Sequence, residues 1–298
     1  MRVHHQNIAM RYSGKTVLPI LIWLFQVGSV GQVAHTASAV LASGAPLADI
    51  RDRLERSTGR VISYEDPILA WSGDLDPTPY TQRQYLFPRK LSFTAPPELT
   101  SEPNLGVALA RTLDAYHHQT SGTRFRVLTS KLGYHIVPSE VRDSTGGFAP
   151  ARNALDSAVA IPNELRTPMG HLLALGSAAG SSLGIQINVV AVPFKVGGFN
   201  DAFRSRPEKF SWGANAVARD ALVDLLLRSA TTFSWQLICQ AAVSPANRFC
   251  ALNVKAITVV ITNANGQPDE RVLWFDRCGD CPPLSEVMPP AQPKQPNQ

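Results

Sequence analysis

Apolar positions along this chain recur in two alternating rhythms, first every three to four residues and then every second residue. Leu47, Ile50 and Leu54 form one helical stripe behind Pro46, which suits a first helical turn, and Gly59 supplies a left-handed stop. Val61-Ile-Ser-Tyr64 then reads as a strand, and Glu65-Asp-Pro67 as a turn. Similar phrases follow at 104–137, 168–192 and 214–256. In the second, Leu105, Leu109, Leu113 and Tyr116 make the stripe, Gly122 is the stop, and Thr123–Leu128 and Tyr134–Val137 alternate as a hairpin around Lys131-Leu-Gly133.

The third phrase starts at Thr167-Pro168, an N-cap followed by a first-turn proline, with Met169, Leu172, Leu173 and Gly176 on one face. Its strand is Ile185-Gln-Ile-Asn-Val-Val190. The fourth has its helix over Ala214–Ser229 and strands Phe233–Cys239 and Phe249–Val254 around Ser244-Pro-Ala-Asn247. Ile257–Ile261 and Val272–Phe275 are expected to pair through Asn265-Gly266. Between the first two phrases, six prolines at 77, 79, 88, 96, 97 and 103 forbid a long helix and leave edge strands at Tyr85–Phe87 and Lys90–Phe93.

This pattern predicts an α+β fold: a series of small modules, each a helix with short strands, in mixed and antiparallel sheets. The expected organisation is a first module over 40–71, a proline-rich connector over 72–103, a helix–hairpin module over 104–166, two further modules over 167–281, and a Pro- and Gln-rich tail over 282–298 that lacks a core pattern.

Residues 1–39 follow a different logic. Arg2, Arg11 and Lys15 make a positive end with no acid, Val17–Phe25 is apolar, and Ala37-Ser-Ala39 places small residues before a cleavage point. That is the pattern of a secretory signal peptide. Met10 as the start would make the basic end more compact. The alternative is an uncleaved anchor, although the strict apolar run falls short of a bilayer span of about 20 residues. Nothing after the leader is long and apolar enough to cross a membrane.

Charge follows from this division. The formal net charge of +5 drops to +2 once the leader is set aside, and the remaining Lys and Arg are dispersed. Nucleic acid is therefore not an expected partner. No Asn-x-Ser/Thr sequon occurs, which favours a bacterial periplasm or cell surface.

The first module resembles the secretin and TonB short N-terminal domain on residues 46–66: Pro46-Leu47, the Ile50/Leu54 stripe, Ser57-Thr58-Gly59, and Val61–Tyr64 with Asp66 after it. A looser echo spans 104–137. The resemblance implies a small βαβ fold and non-catalytic docking to another envelope protein. No barrel-length segment follows, so the receptor and secretion-channel roles of that family are not implied.

The four cysteines, Cys239, Cys250, Cys278 and Cys281, meet oxidising conditions on export. Three connectivities are open. Strand geometry favours Cys239–Cys250 across one turn, worth about 2–3 kcal/mol, with Cys278–Cys281 closing locally. Cys278-Gly-Asp-Cys281 also has the form of a redox motif, but Pro282-Pro283 follows where a helix is needed. Zinc would ask for two short knuckles, and only one is present. The histidines His117, His118, His135 and His171 lack metal-ligand spacing, with His171 expected half-exposed beside Leu172. Glu65-Asp66 and Asp74/Asp76 imitate a glycosidase pair but are expected at turns.

No catalytic residue, metal ligand or cofactor motif is therefore assigned. The best contact surface is the connector's aromatic set, Trp71, Tyr80, Tyr85 and Phe87, beside Arg83 and Arg89; Phe93 belongs to the same group. The expected function is an exported envelope protein that docks a partner or serves as scaffold. The alternative is an exported enzyme, a thiol oxidoreductase or a hydrolase. An inert structural subunit is the third class. N-terminal sequencing of the protein recovered from its host envelope is expected to begin at Val40; a chain still carrying its leader would identify an anchor instead.

Overall fold

The computed structural model describes residues 40–76, 85–86, 88–96, 99, 104–191, 208–209, 212, 215–242, 248–262 and 267–272. The first half runs β1 (Val40–Ser43), α1 (Pro46–Thr58), β2 (Ile62–Glu65), β3 (Tyr85–Leu86), β4 (Leu91–Thr94), α2 (Leu105–Gln119), β5 (Arg124–Thr129), β6 (Tyr134–Arg142), β7 (Phe148–Pro150), β8 (Ala158–Val159) and β9 (Leu165–Arg166). The second half runs α3 (Pro168–Leu183), β10 (Gln186–Ala191), β11 (Glu208–Lys209), β12 (Ala216–Val217), α4 (Ala218–Leu227), β13 (Phe233–Ala242), β14 (Phe249–Ala256), β15 (Thr258–Thr262) and β16 (Pro268–Val272).

Local chemistry sets the helix ends. Pro46 opens α1, and Gly59 closes it at φ 63°, returning its N–H to the Glu55 carbonyl at 2.9 Å. The Asn104 side chain accepts the Val107 N–H to start α2, and Thr167 accepts the Gly170 N–H to start α3. Gly184, at φ 65°, ends α3. The α4 helix begins at Ala218 rather than Ala214, because Ala216 and Val217 pair as a short strand with Val159 and Ala158. In the last hairpin Thr258–Thr262 pairs with Pro268–Val272, so the returning strand ends at the residue where the sequence pattern places its start.

The fold is α+β, and the helix–strand units share a sheet. Its order is β10-β14-β13-β2-β6-β5, with β3 against β13 and β7 against β6. It is mixed: β10 and β14 are parallel, as are β13 and β2, and β2 and β6, whereas β13/β14 and β5/β6 are antiparallel. Tyr64 pairs with Gln236, and also with Ile136 on its other side.

Helices cover both faces. Leu47, Ile50 and Leu54 of α1 and Leu109, Leu113 and Tyr116 of α2 pack with Ile62, Tyr64, Phe125 and Ile136. On the other face Leu172, Leu175 and Ala179 of α3 and Leu222 and Leu225 of α4 pack with Trp235, Leu237, Leu252 and Val254. The alternation of strand side chains assigns Tyr64 to the first core and Glu65 to the second. Cys239 and Cys250 sit opposite each other on β13 and β14 and form a disulfide. Cys278, Cys281, the leader and the 282–298 tail lie outside the described residues.

Glu65 is not at a turn. It ends β2, 1% exposed, and both carboxylate oxygens accept from Arg219 of α4, at 2.9 Å from Nε and 2.8 Å from Nη2. Arg219 also contacts Asp156. Burial raises the Glu65 pKa, and the Arg219 guanidinium opposes that rise. On the opposite face Arg51 of α1, fully buried, donates to the Trp235 carbonyl at 3.0 Å and pairs with Asp52, which Lys255 of β14 also reaches at 2.7 Å. Arg219→Met strands a buried carboxylate and is expected to cost about 3–5 kcal/mol in urea denaturation, with Glu65→Leu/Arg219→Met recovering most of the loss. A double variant as unstable as the single would show that the pair is not the cause.

Candidate functional site

The end of β2 is also where side chains of opposite character meet. After Glu65 the chain stays extended: the Asp66 N–H donates to the Leu237 carbonyl at 2.8 Å. The Asp66 side chain then returns to the α1/α2 side of the sheet, where it helps to line a cavity of about 260 Å³. Three other segments close that cavity. The loop from Gly44 to Leu47 leads into α1; Pro88, Arg89 and Leu91 come from the β3–β4 segment; and Ser121–Thr123 link α2 to β5.

Aromatic packing makes the floor rigid. Tyr64 stacks on Phe125 with centroids 5.8 Å apart, and Tyr116 meets Phe125 edge-on at 5.8 Å and Phe93 at 5.5 Å. Trp71 forms the rim. The Arg142 guanidinium lies 4.4 Å above its ring centroid, and Arg142 pairs with Asp74 at 3.5 Å. The turn after Trp71 requires Gly73: a Cβ there would lie 2.3 Å from the indole.

Electrostatics single out Asp66. It accepts the Cys239 N–H at 3.1 Å and the Tyr64 hydroxyl, yet burial outweighs both and pushes its carboxyl up to about 6. Burial raises the Tyr64 phenol well above its ordinary range and that of Tyr116 to about 12, so both remain neutral donors. Burial also raises Asp74, with Arg142 and Arg89 opposing it. A carboxyl that changes charge near neutrality inside a cavity lined by aromatic, apolar and charged side chains is what a candidate binding site provides.

Of the aromatic contact set, Trp71 and Phe93 have described side chains, and Trp71 stands at this rim. Tyr85 pairs through its backbone with Ala242, and Tyr80 and Phe87 lie outside the described residues. Phe93 is buried in the first core and offers no contact surface. The histidines sit elsewhere. His171 is fully buried against Trp212, not half-exposed, because the face of α3 that carries Leu172 and Leu175 turns it inward. His135 stacks on Trp235 at 4.6 Å, and burial, with Arg219 nearby, pushes it down to about 3. His117 accepts the Phe125 N–H at 2.9 Å. Among the described residues no three His, Cys, Asp or Glu side chains group as metal ligands, and no helix is long and apolar enough to cross a membrane.

Asp66 was missed as a site residue because Asp before Pro67 has the composition of a turn. The signal available was its place at the end of a strongly apolar strand. No protein-family model matches this chain, and neither does any curated protein or solved structure.

The pH dependence follows from Asp66. In the unfolded chain its pKa is about 3.9, and in the folded protein it is about 6. The folded state therefore binds the proton more tightly, and stability from this group falls as pH rises between those values. Asp66→Asn is expected to raise stability by on the order of 2 kcal/mol at about pH 8 and by little at about pH 4. Urea denaturation at the two pH values checks this, and equal changes at both would exclude a raised Asp66 pKa.

Proposed function

We propose that this chain is an exported envelope protein that docks a partner without catalysing a reaction on it, and that the Trp71 cavity receives an anchor from the partner. The observation that carries the reading is the cavity itself. It has a rigid aromatic floor, a tryptophan–arginine rim and a protonatable carboxyl at its base. Buried apolar pockets with a few convergent polar groups are where binding energy concentrates. The apolar anchor would fill the space between Leu47, Leu69 and Phe125, while a donor group meets Asp66. The leader supports export, and the likeness of α1 and β2 to the secretin and TonB short N-terminal domain supports the envelope setting.

A second reading, an enzyme, draws on Asp66 as an acid–base group. No histidine lines the cavity, and its other carboxylate, Asp74, is held by Arg142. Docking therefore fits the arrangement better.

A photo-crosslinking residue at Arg89, on the rim, is expected to capture one envelope protein in intact host cells. Ser121→Trp, which closes the mouth from an exposed position, should abolish that adduct while leaving the melting temperature unchanged. An adduct that persists in Ser121→Trp would show that docking does not use the cavity.

A further inference from the structure

The sheet repeats one order of elements. The first half contributes α1, β2, α2, β5 and β6, and the second contributes α3, β10, α4, β13 and β14. In each, the first strand lies parallel to the third and the second lies antiparallel to it, giving the spatial order first, third, second. The first helices correspond at both ends, opened by Pro46 and Pro168 and closed by left-handed Gly59 and Gly184.

The relation between the halves can be read from strand direction and helix placement. Across the sheet the first–third–second order repeats without reversal. Strand direction inverts: β2 and β6 run with β13, whereas β10 and β14 run against it. The helices change face, α1 and α2 on one side and α3 and α4 on the other. A half-turn about an axis crossing the strands in the sheet plane, combined with a shift along that axis, produces all three. An operation of this kind does not close on itself.

Inside the chain it is used once. There β13, the second strand of its half, lies parallel to β2, the first strand of the other half. Applied again, it brings β5 of one molecule beside β10 of another, also in parallel. Among the described residues no strand pairs with the outer edge of either. Ser130 N–H bonds to Gly133, and Tyr134 N–H to Val61, so the alternation along β5 leaves Val127 and Thr129 facing outward. Gln186 N–H bonds to Arg248, so Ile187, Val189 and Ala191 face outward on β10. These positions match the internal join. Through the shared registers Val127 corresponds to Leu237, and Val189 and Ala191 to Tyr64 and Asp66. The Asp66 N–H to Leu237 carbonyl bond thus has a counterpart in Ala191 and Val127.

We propose that copies of this chain associate head to tail, β5 of one pairing in parallel with β10 of the next as β13 pairs with β2. Apolar side chains wait at the β10 end. Val190 is 45% exposed on the face away from α3, and Leu173 of α3 is 51% exposed, one step around the helix from the Gly176–Gly180 face that rests on β10. At β5 the pairing is confined to a short stretch. The strand bulges at Arg124/Phe125, and His117 already accepts the Phe125 N–H, where the equivalent Trp235 N–H instead meets Ser63 of the neighbouring strand at 3.4 Å. The internal join is equally short, with two register pairs, so a brief contact suffices when helices flank it.

This proposal does not depend on the docking cavity, and its test is separate. Sedimentation of the purified protein is expected to show masses above that of the monomer that grow with concentration. Val127→Pro, which removes an outward N–H without touching the β5–β6 ladder, should weaken association about tenfold or more, while the melting temperature falls only by what the loss of the Val127 side chain from the first core costs, as Val127→Ala measures separately. Geometry is read by a short bifunctional maleimide in a Cys278→Ser/Cys281→Ser background. Val127→Cys mixed with Val190→Cys should link, and neither alone should. A monomer at every concentration, or linkage within a single variant, which marks a twofold dimer, would overturn the proposal. Circular dichroism of each variant confirms that it is folded.

Discussion

Strand β2 is flanked by parallel strands on both sides and buried on both faces, and the rest of the molecule is arranged around that double burial. All four of its residues, Ile62 to Glu65, are inaccessible to solvent. A strand so placed must satisfy every polar group internally. Ser63 accepts from the Trp235 N–H, and Glu65 takes both arms of Arg219. The two halves of the chain thus meet through a backbone ladder and a buried ion pair rather than through apolar contact alone. Arg51 does the same from the opposite face by donating to the Trp235 carbonyl. Such pairs add little net stability over an apolar pair of the same volume, yet removing one partner alone is costly.

The cavity is a consequence of the same strand. As β2 leaves the sheet, Asp66 keeps one backbone bond to β13 and turns its carboxyl into the space beneath α1 and α2. The space is bordered by packed aromatic rings, Tyr64, Phe125 and Tyr116, by prolines at 46, 67 and 88, and by a Trp71 ring seated against Gly73 and Arg142. Two groups then answer acid in opposite senses. Neutral His135 contributes stability above about pH 6.5 and loses it as pH falls toward its depressed pKa of about 3, whereas Asp66 favours the folded state as pH falls through about 6.

Much of this was legible before any tertiary information. The helices at 46–58, 105–119 and 168–183 announce themselves through their stripes, and the first and third also through first-turn prolines, because these act over a few residues; the second ends at Thr120 rather than at Gly122. Two strands joined by one turn favoured Cys239–Cys250 among three connectivities, and the structure forms that disulfide. Trp71 stood out as an aromatic with arginines in reach. Glu65 and Asp66 drew notice only as an imitation of a glycosidase pair and were expected at a turn, since two acids before a proline have that composition. Their partners, Arg219 and the Cys239 N–H, lie 154 and 173 residues away.

The amino-acid sequence by itself determined the local elements, the α+β class and the alternation that gives each strand two distinct faces. Those are short-range properties of backbone dihedrals and apolar spacing. The tertiary structure alone decided that the units share one sheet, that the two halves are related by a half-turn and a shift, and that one carboxylate is locked to an arginine while its neighbour opens into a cavity. These depend on strand pairing between segments far apart in the chain, where any of several β-strands could satisfy the same local pattern. In the pairing that forms, the buried polar groups of β2 find partners: Glu65 with Arg219 and Ser63 with the Trp235 N–H.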